Sequence, residues 1–456
     1  MSKEIIIIGG GISGLSALHF LKKKYPAYNI ALYEAGPRLG GVIGSDMING
    51  YLCEWGPSGL RDRDCIASKL CEELGIENDI QPAGSDADKR YILRRGKLRR
   101  VAMSPLGLLA PGVVSLPGKL RGLLEPFAAS SGKDDESVYD FARRRFGAEI
   151  ADYLVQPLVT GIFAGDARDL SVRSAFPALY EMERNSGSIF RGALAKLKAK
   201  RRQSKTTASR PAKKNKPGIT SLNGGIYAII KALQAKHQTH VHTNARAARI
   251  TKTAGKYLIS FSDNSTAETE QVIVATPAYH AATILRKLSN DLADTLSRIQ
   301  YAPIAVACLG FAKDAIKADI RGFGYLVPLN EKAKHLGAIW ASSVFPDQAP
   351  GDKALFRVLL GGAGNEDVLD CSDDDLLKLA ETELGAVLKI KGGPELARLY
   401  RWNRAVPQYR LGHYRLLQEI DAELARFPGL HLAGNAYTGV GVVDCIKRAS
   451  AIVSNI

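Results

Sequence analysis

The chain has 456 residues, too many for one compact core, so its length predicts two or three domains. Its apolar content of 46% and charged content of 24% are ordinary for a folded protein and argue against a disordered chain. The net charge of +16 is concentrated, because residues 191–216 hold eleven lysines and arginines and no acid. A nucleic-acid surface spread over the fold is therefore not expected, and neither is a nucleic-acid partner.

The cysteine pattern and the hydropathy indicate the cellular compartment of the protein. The six cysteines are scattered without a C-x-x-C pair, which predicts free thiols in a reducing environment. No apolar run reaches the ~20 residues that span a bilayer, and a strand that begins at Glu4 leaves no place for a signal peptide. We expect a cytoplasmic protein that could still lie on the cytoplasmic face of a membrane. No cluster of metal-ligand residues is present, so we expect no metal.

The first predicted elements form a βαβ unit with a glycine-rich turn. Residues 5–8 are four isoleucines, typical of a strand buried on both faces, and residues 12–23 are the helix that follows. Between them, a G-x-G-x-x-G motif that starts at Gly9 suits close approach of a pyrophosphate. The next strand, 29–33, ends at Glu34, where an acid would bind the ribose of an adenine dinucleotide. The predicted dinucleotide contacts are Gly9, Gly10, Gly11, Ile12, Ser13, Gly14 and Glu34.

The two segments after this unit favour FAD over NAD. Arg38 is placed to reach phosphate oxygens, and the glycine pair that follows allows close backbone approach. The turn over 56–59 consists of small, stiff residues and could lie against a flat ring; alternatively it is only a loop. The cofactor contacts predicted from these segments are Ala35, Arg38, Gly41, Val42, Gly56, Pro57, Ser58 and Gly59.

The next part of the chain is mostly helical. A helix is predicted over 66–74 and a hairpin over 91–98. From 103 to 129, leucines alternate with prolines, which predicts short apolar helices that either dip into a membrane interface or pack as a buried subdomain. Further helices are predicted over 138–146, where Ser137 is the cap, and over 148–159.

The basic segment 191–217 divides into two parts. Residues 190–202 could continue as a helix, whereas the remainder has a composition typical of disorder. We interpret the segment as an insertion exposed to water. Alternatively, its basic side chains contact anionic lipid head groups.

The remaining elements return the chain to the nucleotide domain by way of a substrate domain. A helix is predicted from 221 to 233, and residues 281–400 form a mixed α/β region with a helix over 373–388. A strand over 430–435 and a helix that begins near Gly441 would bring N–H groups to an electron-rich ligand. The cofactor contacts predicted from this half are Ala247, Trp402, Gly434, Gly441, Val442 and Val443.

Taken together, the segments resemble the protoporphyrinogen/coproporphyrinogen oxidase family of the flavin amine oxidase superfamily. The resemblance extends over nearly the whole chain, whereas amine oxidases share only the nucleotide segments. The motifs that carry it are Val406-Pro407-Gln408-Tyr409, Gly412-His413, Gly434-Asn435-Ala436-Tyr437, Gly439-Val440-Gly441 with Asp444-Cys445, Gly161-Ile162-Phe163-Ala164-Gly165-Asp166 and Gly322-Phe323-Gly324-Tyr325-Leu326-Val327-Pro328.

The resemblance implies FAD as cofactor, molecular oxygen as acceptor and a porphyrinogen of haem biosynthesis as substrate. It also implies that the Gly161 carbonyl meets pyrrole N–H groups, which makes Gly161 the catalytic candidate. Leu326, Ile339 and Leu359 would pack on the macrocycle. The protein would be a monomer or a homodimer with a membrane-associated helical domain.

Propionate recognition departs from the family pattern. Some members carry an arginine directly after the Gly-Pro pair, where this chain has Ser58. From the sequence, we expect Arg61 or Arg63 to bind the propionate in place of the missing arginine.

The predicted fold is α/β, with a Rossmann-like FAD-binding domain, a mixed-sheet α+β substrate domain and an inserted helical membrane-associated domain. The predicted ranges are 1–85, 218–280 and 402–456 for the FAD-binding domain, 86–102 and 281–401 for the substrate domain, 103–190 for the helical domain and 191–217 for the basic insertion.

Two other functions stay open from the sequence. A flavin amine oxidase would need a cage for an amine, which Trp402 and Tyr409 could supply. A non-enzymatic relative that binds lipidated GTPases would not need intact flavin contacts at both ends of the chain.

Overall fold

The computed structural model describes residues 4–101, 112–206, 218–331 and 333–456. The chain forms two compact units and crosses between them four times. The first unit comprises Met1–Ala83, Pro217–Tyr301 and Arg415–Ile456, and the second comprises Gly84–Lys216 and Ala302–Tyr414. Among the described residues, every helix is too short or too polar to cross a membrane.

The helices, in chain order, are α1 Ile12–Lys24, α2 Ile66–Leu74, α3 Leu116–Leu123, α4 Val138–Phe146, α5 Ala148–Ile150, α6 Gln156–Phe163, α7 Val172–Ala175, α8 Pro177–Ser186, α9 Ile189–Thr206, α10 Ala228–His237, α11 Ala278–Leu285, α12 Asn290–Ser297, α13 Ala341–Val344, α14 Asp373–Leu388, α15 His413–Ala425 and α16 Val442–Asn455.

The strands are β1 Glu4–Ile8, β2 Asn29–Tyr33, β3 Ser45–Ile48, β4 Tyr51–Glu54, β5 Ile80–Pro82, β6 Arg90–Arg94, β7 Lys97–Val101, β8 Thr220–Leu222, β9 Val241–His242, β10 Ala247–Thr253, β11 Lys256–Phe261, β12 Thr266–Thr269, β13 Gln271–Val274, β14 Tyr301–Ala312, β15 Gly324–Leu326, β16 His335–Ile339, β17 Lys353–Gly361, β18 Leu396–Pro407 and β19 Leu430–Leu432.

The first unit is built on a parallel sheet with the strand order β19-β13-β1-β2-β9. The isoleucines of β1 alternate between its two faces, as the side chains of a strand must. Ile5 and Ile7 pack with α1, α10 and α16, whereas Ile6 and Ile8 pack with α11, α12 and strand β11. All four are at most 4% exposed, which confirms the strand predicted from the apolar run.

The second unit contains a seven-stranded sheet with the order β18-β14-β17-β16-β15-β6-β7. The pairing of β15 with β6 is parallel, while the pairs from β14 to β15 are antiparallel, so the sheet is mixed. Helix α14 covers one face through Leu376, Ala380 and Leu384.

Two predicted helices differ from the observed elements. Residues 220–222 form strand β8, and the positive φ angles of Gly224 and Gly225 delay the helix to Ala228. The helix predicted over 148–159 is interrupted by a π-helical turn, Ala151–Val155, and ends only at Phe163. Such turns insert one extra residue and occur often at functional sites.

The helix in the basic segment is longer than the one predicted over 190–202. Helix α9 continues to Thr206, because residues 193–202 are all alanine, leucine, lysine or arginine, which are strong helix formers. The expected disorder of the later part falls on 207–217, outside the described residues, as does the part of the leucine- and proline-rich stretch over 102–111.

The observed units divide the chain at different points from the predicted domains. Strand β18 joins the sheet of the second unit, so the return to the first unit falls at Arg415 rather than at 402. The helices α3 to α9 belong to the same compact unit as the seven-stranded sheet.

A buried histidine pair ties three helices of the first unit together. His19 Nδ1 on α1 lies 3.0 Å from His237 Nε2 on α10, and His19 Nε2 lies 2.8 Å from a carboxylate oxygen of Glu73 on α2. Lys23 also contacts the Glu73 carboxylate, and the Lys236 ammonium donates to the Glu73 carbonyl oxygen. Because burial disfavours the charged form and other cations lie near, the pKa of His237 falls to about 4.

We expect this pair to make the stability of the protein sensitive to acid. A neutral histidine in the fold and a pKa near the usual 6.5 in the unfolded chain mean that the stabilisation is complete above pH 6.5 and is lost as pH falls toward 4. The loss should reach about 2 kcal/mol at pH 4.5, since each pKa unit is worth about 1.4 kcal/mol and the full shift is expressed only below pH 4. Urea unfolding between pH 7 and pH 4.5 measures it.

The variant His237→Gln should be less stable at neutral pH but show a flatter pH dependence of the unfolding free energy. His280→Gln, which removes an exposed histidine, is the control and should keep the wild-type slope. Parallel pH curves for wild type and His237→Gln would contradict the assignment.

Candidate functional site

The turn between β1 and α1 has the geometry that a bound pyrophosphate needs. Gly9 has a φ of +108°, which a residue with a side chain rarely adopts. A Cβ at Gly14 would collide with the carbonyl oxygen of Gly9, so glycine lets α1 pack directly on the end of β1. A Cβ at Gly11 would meet no protein atom within 4 Å. The space at Gly11 is room for a ligand.

The N-terminus of α1 favours an anion in that space. Its first N–H groups, those of Ile12 and Ser13 among them, have no partner within the helix. No side chain caps the helix at Gly11, and the first turn contains no acid. The helix dipole adds partial positive charge at this end, so phosphate oxygens would be stabilised here.

Glu34 is held in place by backbone donors. Its Oε2 accepts from the Gly10 N–H at 2.7 Å, and its Oε1 accepts from the Gly36 N–H at 2.9 Å. A carboxylate has about four acceptor positions, so Glu34 keeps capacity for the hydroxyl groups of a ribose. The acid predicted for this role is therefore fixed at the end of β2.

Arg38 has backbone partners in the loop that follows it, and its predicted contact with a phosphate stays a prediction. The sequence places it at phosphate oxygens, but its terminal nitrogens donate to the carbonyl oxygens of Leu39, Gly41 and Ile43, at 3.0, 2.5 and 2.7 Å. Its guanidinium also lies 4.3 Å from the centre of the Trp55 ring. A guanidinium engaged in this way shapes the loop over 39–43.

The loop that Arg38 shapes approaches the glycine turn. Gly40 donates to the Gly10 carbonyl oxygen at 2.8 Å, and a Cβ at Gly41 would lie 3.7 Å from the Gly11 Cα. Gly41 and the neighbouring Val42 are exposed. Gly41 therefore lies beside the open space at Gly11, and contact of Gly41 and Val42 with the cofactor stays a prediction.

The small-residue turn is packed against the same loop. A Cβ at Gly56 would lie 2.7 Å from the carbonyl oxygen of Val42, so only glycine permits this approach. The remaining predicted contacts of this region are Pro57, Ser58 and Gly59, which are half-buried, and Ala35, which is exposed.

The N-terminus of the last helix lies beside the first. A hydrogen bond joins the side chains of Ser13, in the first turn of α1, and Cys445, in the first turn of α16. Gly441 caps α16, and its N–H donates to Asp444 at 3.1 Å. The N–H groups of Val442 and Val443 therefore open next to those of α1, and Gly434, with a φ of +134°, turns the chain after β19.

Two predicted contacts lie farther along the chain. Ala247 pairs with Phe261, whose ring is 4.6 Å from that of Tyr33, so Ala247 is close to the end of β2 that carries Glu34. Trp402 lies on β18 in the second unit, and its contact with the cofactor stays a prediction.

The second unit contains a cavity of about 430 Å³, within the range of small-molecule sites. The predicted substrate contacts Gly161, Leu326, Ile339 and Leu359 all line it. Directly paired residues of neighbouring strands share a face, so strands β15, β16 and β17 supply one wall. The opposite wall includes Leu154 and Val155 of the π-helical turn, and its residues are apolar.

One functional candidate escaped the sequence analysis. Arg90, the first residue of β6, is the charged residue among those described as lining the cavity, whereas Arg61 and Arg63 are not among them. Its guanidinium lies 4.4 Å from the centre of the Phe323 ring. No local pattern in the sequence identifies Arg90, because its place at the cavity depends on the pairing of β6 with β15 far along the chain.

Comparison with known proteins agrees with this geometry. Residues 12–453 match the family of flavin containing amine oxidoreductases. The chain is 30% identical over 468 residues to coproporphyrinogen III oxidase of Bacillus subtilis, covering 99% of this chain and 97% of that protein. It is 32% identical over 473 residues to protoporphyrinogen oxidase of Bos taurus, covering 98% and 97%.

Solved structures share the fold. A crystal structure from Exiguobacterium sp. 255-15, provisionally assigned as a protoporphyrinogen oxidase, superposes with a TM-score of 0.83 at 23% identity, covering 100% of this chain and 98% of that one. Reduced UDP-galactopyranose mutase superposes with a TM-score of 0.75 at 15% identity, covering 100% and 94%.

A parallel sheet with an open glycine turn at two helix N-termini is the geometry of a dinucleotide-binding protein. The chain belongs to the flavin containing amine oxidoreductase family. Its cofactor is FAD, which the open space at Gly11, the backbone-held Glu34 and the paired helix ends fit.

We expect Gly11→Val to abolish FAD retention while leaving the fold intact. The φ of Gly11 is −74°, which valine tolerates, and its side chain would enter space that holds no protein atom. It would occupy the place of the pyrophosphate. Absorbance at about 450 nm and circular dichroism of the purified variant measure the two effects. Gly351→Val, at another glycine with open space, is the control and should stay yellow; a yellow Gly11→Val would contradict the site.

Proposed function

We propose that the protein oxidises a porphyrinogen, protoporphyrinogen or coproporphyrinogen, to the corresponding porphyrin, a late step of haem biosynthesis. The observation that carries the proposal is the apolar cavity with Arg90 at its wall. A porphyrinogen is a large apolar macrocycle with carboxylate side chains, and both features have a counterpart there. The full-length similarity to oxidases of both porphyrinogens supports it.

The oxidation removes six electrons and six hydrogens in three cycles, each of which takes a hydride from a meso carbon and releases a proton. Four C–H and two N–H hydrogens are lost in total, so two of the protons leave nitrogen and one leaves a meso carbon by tautomerisation. FAD, when bound, accepts two electrons in each cycle, and we propose molecular oxygen as the final acceptor, reduced to hydrogen peroxide. The macrocycle is electron-rich, so no strongly basic side chain is required. The protein orients the porphyrinogen relative to the cofactor and excludes water from the site.

Gly161 is proposed to orient the pyrrole nitrogens. It lies in the last turn of α6, where carbonyl groups lack a later N–H of the helix. It is exposed on the cavity wall, and a Cβ there would lie 3.0 Å from a methyl group of Leu326. A side chain at 161 would narrow the space between α6 and the sheet, which explains the use of glycine.

An amine oxidase is less compatible with the cavity. A protonated amine would be placed in an apolar cavity beside the Arg90 cation, where like charges repel strongly. Tyr409 and Trp402, the cage suggested from the sequence, are not among the described residues that line the cavity.

We also propose a peripheral contact of the helical region with the cytoplasmic face of a membrane. Large apolar side chains are exposed on α3 and in the turn after it, which is unusual for a surface in water. Docking would place a substrate that partitions into lipid near the enzyme.

The test of the proposed reaction is anaerobic mixing of the holoenzyme with protoporphyrinogen, coproporphyrinogen or a set of primary and secondary amines. We expect flavin absorbance at about 450 nm to bleach with one or both porphyrinogens and not with amines. Bleaching by amines alone, or by none of these compounds, would overturn the proposal. Re-admission of oxygen should restore the absorbance and yield hydrogen peroxide.

The variant Arg90→Gln tests carboxylate recognition. We expect KM for the porphyrinogen to rise roughly 10–100-fold with a smaller change in kcat, since a hydrogen-bonded charge contact is worth about 1.5–3 kcal/mol. Arg90→Lys keeps the charge but loses the fork and should be intermediate. Arg100→Gln, at an exposed position on the opposite face of β7, is the control. An unchanged KM in Arg90→Gln would remove this residue from the site.

A further inference from the structure

Helix α3 presents an apolar ridge to solvent. Leu116, Leu120 and Leu123 are four and three residues apart, so they share one face, and they are 70%, 56% and 47% exposed. The ridge continues into the turn after the helix, where Phe127 is 80% exposed. Exposed leucines and a phenylalanine in one row mark an interaction surface rather than ordinary scatter.

Helix α9 adds a second ridge with a different chemistry. Leu194 and Leu197 lie on one face and are 57% and 58% exposed. Arg191, Lys196 and Lys198 are exposed around them, and residues 189–206 contain no acid. Long basic side chains beside leucines suit an interface where apolar atoms are buried and charged ends stay in contact with polar groups.

A buried ionic cluster joins the two ridges. Glu125, directly after α3, is fully buried and accepts from the Ser188 hydroxyl at 2.6 Å and from the Ile189 N–H at 2.8 Å, at the start of α9. Arg145, also fully buried, donates to Glu125 at 3.3 Å and to Glu183. The end of the first ridge is thus fixed to the beginning of the second, and the carboxylate of Glu125 is neutralised inside the protein.

We propose that α3, the turn through Phe127 and α9 form one docking face for an anionic lipid bilayer, and that α9 makes docking depend on anionic lipid. This inference rests on the peripheral membrane contact proposed above and adds the lipid chemistry. Charge complementarity selects the partner, because the exposed charges of α9 are all positive. A second copy of the chain would bring these cations against each other, and a nucleic acid would leave the two leucine ridges in water.

The test is flotation of the full-length holoenzyme with vesicles of neutral phosphatidylcholine or with vesicles that also contain phosphatidylglycerol. We expect strong binding to the anionic vesicles only, weakened by salt as the Debye length shortens. The triple variant Arg191→Gln, Lys196→Gln and Lys198→Gln should bind anionic vesicles on the order of 100-fold more weakly. Leu194→Ser with Leu197→Ser should also weaken binding.

The matched control is the triple variant Lys256→Gln, Lys287→Gln and Lys378→Gln, which removes the same charge from exposed positions elsewhere. It should bind like the wild type. Equal binding of wild type to neutral and anionic vesicles, equal loss in both triple variants, or displacement from vesicles by a DNA oligonucleotide would overturn the proposal. Porphyrinogen oxidation in detergent, measured on the same variants, should be unchanged, so failure of docking is distinguishable from failure of the proposed reaction.

Discussion

The contact between the backbone of Gly9 and the first turn of α1 is the constraint on which the nucleotide site depends. The absence of a side chain at Gly14 lets the helix rest on the end of β1, and the sheet then fixes where the helix points. Ser13 extends this arrangement to α16 through its hydrogen bond with Cys445. Two sets of backbone donors are thereby brought together, and the nearby acid, Glu34, is itself held by backbone N–H groups.

In the second unit, the cavity depends on two walls of different regularity. Its sheet supplies a flat wall because β15, β16 and β17 pair in register and place Leu326, Ile339 and Leu359 in the cavity. The facing wall comes from an irregular helix. Its π-helical turn inserts one extra residue and so changes the direction of the side chains that precede Gly161. A substrate with a broad apolar face needs both: a regular wall for contact area and an irregular wall for shape.

Much of the nucleotide site follows from the sequence, since strand, glycines, helix and acid are contiguous and their roles depend on local backbone geometry. Arg38 could not be placed in the same way. Its motif position suggested phosphate, but its partners are carbonyl oxygens of the loop that it folds back on. Arg90 was missed for the converse reason, because only strand pairing far along the chain, with β15, shows which arginine reaches the cavity. A sequence motif identifies contacts between residues close in the chain, whereas contacts between distant residues depend on how the strands pair in the folded protein.

The order of strands in the first unit has a consequence for biosynthesis. Its central strand, β1, is made first, but its neighbour β13 and the outer β19 come after more than half of the chain, and α16 emerges from the ribosome last. The apolar faces of Ile5 to Ile8 are therefore only partly covered until β13, α11 and α12 are made, and α16 completes the cover after the second unit has been translated. Co-translational folding normally proceeds domain by domain from the N-terminus. In this protein the unit that begins first is completed last, because Arg415–Ile456 joins it only after the second unit has ended at Tyr414.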